Sequence, residues 1–134
     1  KEIRSKLFEL TEEFKKQAKE RGYVETLYGR RRPTPDIHSS NFNIRSAAER
    51  AALNMPIQGT SADITKLAMI KLSEVLPESA KQVLQVHDSI VVECPEKDAS
   101  KVAKLLKETM ESIAPDLGVK LQVDTKIAKS LGEL

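Results

Sequence analysis

The sequence has a single cysteine and no tryptophan among its 134 residues, and its apolar runs are short. One cysteine, Cys94, excludes an internal disulfide and any zinc site built from several cysteines. No run approaches the ~20 apolar residues of a membrane span, and the charged opening of the chain lacks the apolar core of a signal peptide. These absences predict an intracellular, cytoplasmic protein that has no membrane partner.

An excess of charge of one sign is also missing, because 22 Lys and Arg residues face 20 Asp and Glu. A net charge of +2 gives no uniform field that would attract nucleic acid, so only local clusters can indicate such binding. The densest basic cluster is Arg30-Arg31-Arg32, with Arg45 further along the chain. It is able to neutralise backbone phosphates, although taken alone it favours a solvated surface.

Common catalytic signatures are missing as well. The chain has no glycine-rich phosphate-binding loop, no zinc-ligand spacing and no residue order that suggests a Ser-His-Asp triad. It does have the composition of a globular protein, with 40% hydrophobic and 31% charged residues. This length and composition suffice for one domain with a buried core.

Apolar periodicity predicts four helices. The first ends near Arg21-Gly22, where glycine supplies the stop. An alanine-rich second helix follows residues 39–41 and should kink or end at Pro56, and a third begins after residues 59–61 and closes at Pro77. The fourth starts at residues 95–98 and carries a long apolar stripe.

Residues rich in β-branched side chains predict strands between these helices. Residues 23–27 form a short strand or hairpin, and residues 82–94 form a second hairpin with Asp88 at its turn. Alternation across residues 119–124 indicates a strand that could pair with that hairpin. The predicted fold class is α+β, with an antiparallel sheet of hairpin plus C-terminal strand that helices cover on one face.

The turn of the second hairpin is the first candidate site. It presents the carboxylate of Asp88 to solvent while the flanking strands fix its backbone, an arrangement that suits a divalent cation. Asp is also common in turns because its side chain bonds its own backbone, and His87 could be an ordinary strand residue. The local pattern leaves both interpretations open.

Three long polar side chains form the second candidate site. Arg50, Asn54 and Gln58 recur at intervals of four, which places them on one face of a helix. The position of Gln58 depends on what the helix does at Pro56. A guanidinium and two amides can donate to phosphates, sugars and minor-groove base edges, whereas a solvated helix face is the alternative.

Three blocks of sequence support a more specific interpretation. They are GYVETLYGRRR at residues 22–32, AERAALNMPIQGTSAD at residues 48–63 and QVHD at residues 85–88. In this order and spacing they resemble the C-terminal region of the family A, DNA polymerase I-like enzymes, and the third block resembles that family's motif C. The resemblance covers nearly the whole chain.

The resemblance implies a segment of a right-hand polymerase fold. Residues 1–134 would be a single C-terminal fragment, with about 1–60 connecting fingers and palm and about 61–134 in the palm. Such enzymes transfer a nucleotidyl group from a dNTP to a primer 3′-OH with two divalent ions, here Mg²⁺. The implied partners are a DNA primer–template, a dNTP and the missing N-terminal part of the polymerase. The implied setting is bacterial or phage-like and nucleoid-associated.

Residue roles follow from the same resemblance. Asp88 matches a metal-binding carboxylate, and His87 matches a catalytic-site residue beside the primer terminus. Contacts with nucleic acid are implied for Arg50, Asn54, Gln58 and Arg31. Ser89 departs from the family, in which most members carry Glu after the motif C Asp. Because Ser adds no charge, we expect an altered metal site in which Ser89 acts at most through its hydroxyl or a water.

Other functions stay open at this stage. The family's second catalytic Asp, in motif A, and the fingers helix that grips the triphosphate are expected upstream, so the chain alone is expected not to polymerise. A non-catalytic primer–template-binding fragment would keep the polar helix face and would have lost catalysis with the change to Ser89. A purely structural α+β domain would require that the three blocks match by coincidence.

Overall fold

The chain folds into helices and small antiparallel sheets. A computed structural model describes residues 2–134, with side chains from residue 4 onward. The helices are α1 (Glu2–Arg21), α2 (Phe42–Val75) and α3 (Ala99–Ser112), and the strands are β1 (Tyr23–Glu25), β2 (Arg31–Pro33), β3 (Lys81–Val86) and β4 (Ser89–Glu93). β1 pairs with β2 and β3 pairs with β4, both antiparallel. This mixture confirms the predicted α+β class.

The chain divides into two compact units, Lys1–Asp63 and Ile64–Leu134. In the first unit, α1 ends at the predicted glycine: Gly22 has a φ of 77°, and its N–H donates to the Ala18 carbonyl at 3.0 Å. A residue without a side chain adopts this left-handed conformation at no steric cost. The chain then turns into the predicted first hairpin, in which Val24 lies opposite Arg32.

The core of the first unit consists of few and mostly small residues. Its buried members are Ala18, Val24, Ile37, Ala52 and Met55. The apolar stripe predicted for α1 is buried only toward the C-terminal end of the helix, where Thr34 and His38 bond to the carbonyls of Ala18 and Lys19. Leu7 is 60% exposed and Leu10 is 40% exposed. The Ile3 side chain, predicted on the same stripe, lies outside the described side chains.

Helix α2 differs from the prediction, which placed two helices here. It runs without interruption for 34 residues with Pro56 inside it. Proline removes one backbone donor and crowds the preceding turn, which usually kinks or ends a helix. Here the helix continues, and the turn after Pro56 is bonded to Leu27 and Arg30 of the first hairpin. Although α2 is long, no helix in the described residues is apolar enough over a sufficient length to cross a membrane.

The second predicted hairpin is confirmed in the second unit. β3 and β4 pair from Lys81 opposite Glu93 to Val86 opposite Ser89, so that a two-residue turn remains between them. The register shifts between Gln82 and Leu84, where β3 carries one additional residue. Such a bulge bends a strand and increases its twist.

The predicted C-terminal strand is not a strand in the structure. Residues 119–128 have no assigned secondary structure, although Leu121 and Val123 are half-buried between exposed neighbours, as the alternation predicted. A strand requires ladder hydrogen bonds to a partner. Here the N–H of Val123 instead donates to the Glu111 carboxylate of α3 at 3.1 Å. The sheet of the second unit is therefore a two-stranded hairpin.

The small core of the first unit generates a test of stability. Ile37 is 1% exposed, so truncation to alanine removes buried methyl groups and leaves a cavity. We expect Ile37→Ala to lower the free energy of unfolding by about 2–5 kcal/mol in urea titrations. Ile57 is 59% exposed, and Ile57→Ala serves as the matched control with a change within about 0.5 kcal/mol. Equal losses for the two variants would contradict the described core.

Candidate active site and nucleic-acid interface

The turn between β3 and β4 contains His87 and Asp88, as the sequence predicted. Both residues are exposed, and the flanking pair Val86 and Ser89 closes the ladder beneath them. The Asp88 side chain makes no hydrogen bond or ion pair with any other residue that the structure describes. The alternative interpretation, in which the carboxylate only caps its own turn, is therefore not what the geometry shows. An unpaired carboxylate faces solvent at the tip of a hairpin.

His87 has an unusual backbone conformation. Its φ is 52°, the one positive value at a non-glycine residue within the described part of the chain. Favoured two-residue hairpin turns need a positive φ at this first central position, which glycine or asparagine normally fills. A larger residue is held there at a cost of about 1 kcal/mol or more. The Gln85 side chain supports the turn by donating to the His87 carbonyl.

The metal-binding capacity of this turn is limited by the number of its donors. A carboxylate oxygen is a donor that Mg²⁺ prefers, so Asp88 fits such an ion in kind. Ser89 is exposed at the start of β4 and brings no charge. No group of three or more His, Cys, Asp or Glu side chains among residues 2–134 is arranged to hold a metal ion. The turn itself therefore offers one anionic ligand, Asp88.

The polar stripe lies on one exposed face of α2. The side chains of Arg50, Asn54 and Gln58 are all exposed. None of these side chains bonds to another side chain or to a backbone group of the described residues. Because α2 continues through Pro56, Gln58 keeps its place on the stripe. Eight residues of helix rise by about 12 Å, which matches roughly three to four base-pair steps of duplex DNA. The structure thus places these three predicted residues together.

The arginine cluster of the first hairpin is not a uniform basic surface. Arg31 donates to the Glu25 carboxylate at 3.0 Å, and its guanidinium lies 4.5 Å from the ring centre of Tyr23. Arg30 forms an ion pair with Asp63 at 2.8 Å. Arg32 has no such partner within residues 2–134. Arg31, the predicted nucleic-acid ligand, is therefore exposed but already held by its own hairpin.

Arg45, the fourth arginine of the cluster, also has partners of its own. It donates to the Ser39 carbonyl at 3.0 Å, and its guanidinium lies 5.8 Å from the ring centre of Phe42. Both contacts are at the N-terminal end of α2, where they connect the first turn of the helix to the preceding loop. This arginine stabilises the start of the helix that carries the polar stripe.

One group of site residues was missed by sequence reasoning. Arg30, Asp63, Gly59 and Thr60 link the first hairpin to α2 through contacts between residues about 30 positions apart. No local pattern predicts a contact at that separation. The available signal was Gly59 within a helical segment. Glycine inside a helix is unfavourable by about 1 kcal/mol, and it marks a place where another part of the chain approaches closely.

Comparison with known proteins identifies the family. The model of DNA polymerase family A matches residues 3–133 of the chain. The chain belongs to family A of the DNA polymerases. This confirms the resemblance drawn from the three sequence blocks, and the predicted polymerase fold segment with it.

Individual relatives agree with this assignment. The thermostable DNA polymerase I of Thermus aquaticus is 51% identical over 114 residues, which are 84% of this chain and 14% of that protein. DNA polymerase I of Streptococcus pneumoniae is 51% identical over 116 residues, 84% of this chain and 13% of that protein. The chain thus spans a small part of the length of the curated relatives it matches.

A solved structure shows the same fold. The POL domain of Pol1 from M. smegmatis, in complex with DNA primer-template and dNTP, matches with a TM-score of 0.78 and 41% sequence identity. The match covers 84% of this chain and 20% of that one. The fold segment described here is therefore that of a family A polymerase domain.

The strained turn generates the second test. His and Asn tolerate a positive φ better than other residues, whereas a β-branched residue is strongly disfavoured there. We expect His87→Asn to change the free energy of unfolding by no more than about 0.5 kcal/mol and His87→Val to lower it by about 1–2 kcal/mol. Thermal unfolding followed by circular dichroism measures both. Equal stability of the two variants would show that the turn has no left-handed residue.

Proposed function

We propose that this chain is part of a DNA-directed DNA polymerase and that it works in template-directed transfer of a nucleotidyl group from a dNTP to a primer 3′-OH. The observation that carries the proposal is the exposed Asp88 carboxylate, unpaired within the described chain, on a strained hairpin turn in a family A polymerase segment. The two strands fix the backbone of that turn, so the carboxylate is presented in a defined place.

Asp88 is the residue that we assign to metal binding. Two Mg²⁺ ions in the complete enzyme, when bound, activate the attacking 3′ oxygen and stabilise the leaving pyrophosphate. Asp88 contributes one carboxylate to that site, and Ser89 contributes at most its hydroxyl or a bound water. The remaining carboxylate is assigned to motif A of a longer polypeptide, because one carboxylate cannot hold two ions.

His87 is assigned a place beside the primer terminus. Its ring is exposed next to Asp88 in the same two-residue turn, so both side chains leave the hairpin at one end. A residue held in a disfavoured backbone conformation is a recurrent feature of functional sites, where the surrounding structure maintains it. The turn geometry supports a positioning contact with the primer more than a purely local role.

Arg50, Asn54 and Gln58 are assigned to the primer–template duplex. Exposed amides and a guanidinium along about 12 Å of helix can donate to successive phosphates, sugars or minor-groove acceptors. Arg31 is proposed as a further nucleic-acid contact. Its guanidinium already contacts Tyr23 and Glu25, so less side-chain freedom is lost when it binds.

The proposed activity belongs to a protein longer than these 134 residues. The matched relatives are more than six times as long, since 84% of this chain covers 13–14% of them. We propose that about 1–60 connects fingers and palm and that about 61–134 lies in the palm, which the division of the chain at Asp63 supports. Because its substrate is DNA, we propose that such an enzyme works at the bacterial nucleoid, in the cytoplasm.

A second candidate function is non-catalytic binding of primer–template DNA. The observation that favours it is Ser89, which leaves Asp88 as the one carboxylate of its turn. Such a fragment would use the polar face of α2 and would not need a metal. Primer extension by the unsubstituted full-length protein separates the two candidates, and substitution of Asp88 then tests whether that extension depends on its carboxylate.

The third test therefore concerns Asp88 in the full-length polymerase. Asp88→Asn removes a charged metal ligand, and since such ions supply several kcal/mol of transition-state stabilisation, we expect primer extension to fall by about a thousandfold or more. Primer–template affinity should stay within about twofold, because Asp88 does not contact the duplex in this proposal. Extension rates and fluorescence anisotropy measure the two quantities.

Controls make this result specific. Glu93 is an exposed carboxylate at the end of β4 that lies away from the turn. The Glu93→Gln variant should extend primers as the unmodified enzyme does. The isolated 134-residue chain should give no extension. Normal extension by Asp88→Asn would exclude the metal-binding role of Asp88. Primer–template binding without any extension by the unsubstituted full-length protein would favour the non-catalytic candidate.

The fourth test concerns Ser89. A glutamate at this position adds a second carboxylate beside Asp88, so Ser89→Glu should change the concentrations of Mg²⁺ and Mn²⁺ that half-saturate extension. Titration of extension rate with each metal measures the change, and Ser89→Gln, which is of similar size without the charge, is the control. Identical metal profiles for the three proteins would show that position 89 does not influence the metal site.

A further inference from the structure

Arg30 joins the first hairpin to helix α2 at two points. Its Nε donates to the Asp63 Oδ1 at 2.8 Å, and its Nη2 donates to the Gly59 carbonyl at 3.3 Å. The Asp63 side chain is only 11% exposed, whereas that of Arg30 is 48% exposed. A planar guanidinium forms such two-point contacts, which fix direction as well as distance.

Further contacts connect the same two elements. The Leu27 N–H donates to the Thr60 Oγ1 at 2.9 Å, and that hydroxyl donates to the Pro56 carbonyl at 2.5 Å. A Cβ atom on Gly59 would lie 2.7 Å from the Thr26 Cγ2, which is closer than real contacts allow. The hairpin turn is therefore seated directly on the α2 turn at residues 59–63.

The seating holds the helical turn that follows Pro56. This residue has no N–H to donate to the Ala52 carbonyl, so the helix lacks one of its hydrogen bonds in the turn before Gln58. The hydroxyl of Thr60 and the guanidinium of Arg30 bind carbonyls on either side of Gln58, at Pro56 and Gly59. The backbone that carries Gln58 is thereby held by a hydroxyl of its own helix and, at Gly59, by a guanidinium from outside the helix.

We propose that Arg30 is a positioning residue for primer–template binding, which fixes the helical turn that presents Gln58 and does not itself contact a phosphate. The proposal rests on the proposed role of Gln58 at the duplex. The charge of Arg30 is neutralised by Asp63, and two of the Arg30 donors face protein acceptors. Arg32 lies two residues away without a partner among the described residues, so it is the matched arginine for a direct phosphate contact.

Salt dependence of binding distinguishes these roles. In the full-length polymerase we expect Arg30→Ala to raise the primer–template Kd about five- to tenfold with an unchanged slope of log Kd against log salt. A lost phosphate contact instead reduces that slope by about 0.9, the result expected for Arg32→Ala. Equal slope reductions in the two variants would overturn the proposal.

Two further variants test the route of the effect. In a Gln58→Ala background, Arg30→Ala should change the Kd by less than about twofold, because the residue it positions is gone. Asp63→Asn makes the protein more positive by one charge, so general electrostatics predicts tighter binding, whereas loss of the seating predicts weaker binding. Additive losses, or tighter binding by Asp63→Asn, would contradict the positioning role.

The outcomes separate this proposal from the proposed function. An unchanged Kd for Gln58→Ala alone would reject the role of the polar stripe, and with it the route through Gln58. A weakened Gln58→Ala with a normal Arg30→Ala would reject only the positioning role. If Arg30→Ala fails to fold, Arg30→Lys serves: it keeps the charge, so weaker binding supports the two-point geometry and unchanged binding overturns it.

Discussion

The continuity of helix α2 through Pro56 is the constraint on which the polar stripe depends. A helix that ended there would leave Gln58 in a different orientation from Arg50 and Asn54. The missing N–H of proline weakens the helix there. The turn that follows is bonded to the first hairpin, because the Leu27 N–H donates to the Thr60 hydroxyl and the Arg30 guanidinium donates to the Gly59 carbonyl. Gly59 permits the close approach, because a side chain there would collide with Thr26. The hairpin thus has a mechanical role in a segment whose sequence suggests charge alone.

The three consecutive arginines show how differently adjacent like charges are used. Arg30 binds a nearly buried carboxylate and a helix carbonyl, Arg31 is held between Glu25 and Tyr23 on its own hairpin, and Arg32 has no partner among the described residues. Alternation along β2 sends the side chains of Arg31 and Arg32 to opposite faces, and Arg30 precedes the strand, so the three residues meet different surroundings. A basic cluster in a sequence is therefore not evidence of a basic surface.

Much of the fold follows from local rules in the sequence. The end of α1 at Gly22, both hairpins and the position of Asp88 in a turn are local features, and all are present. The errors have tertiary causes. Pro56 was predicted to kink or end a helix because local rules say so, whereas the contacts that hold the following turn come from about 30 residues away. The tail was predicted as a strand from its alternation, but the N–H of Val123 donates to a side chain of α3. The stripe on α2 was predictable because helical periodicity is local, whereas the Arg30–Asp63 pair was not.

The distribution of paired and unpaired charges links the fold to the proposed chemistry. Where two segments of the first unit must be held together, the chain pairs its charges, as Arg30 with Asp63 and Lys19 with Glu49. Asp88 and Arg50 are exposed and have no such partners within the described residues. An exposed ion pair contributes little to stability, so an unpaired charge at such a position is no great loss to folding. It remains available to a ligand of the opposite sign, which for a carboxylate is a cation and for a guanidinium on a helix face is a phosphate. The strained backbone of His87 lies next to one of these unpaired charges, that of Asp88, where rigidity of the backbone matters most.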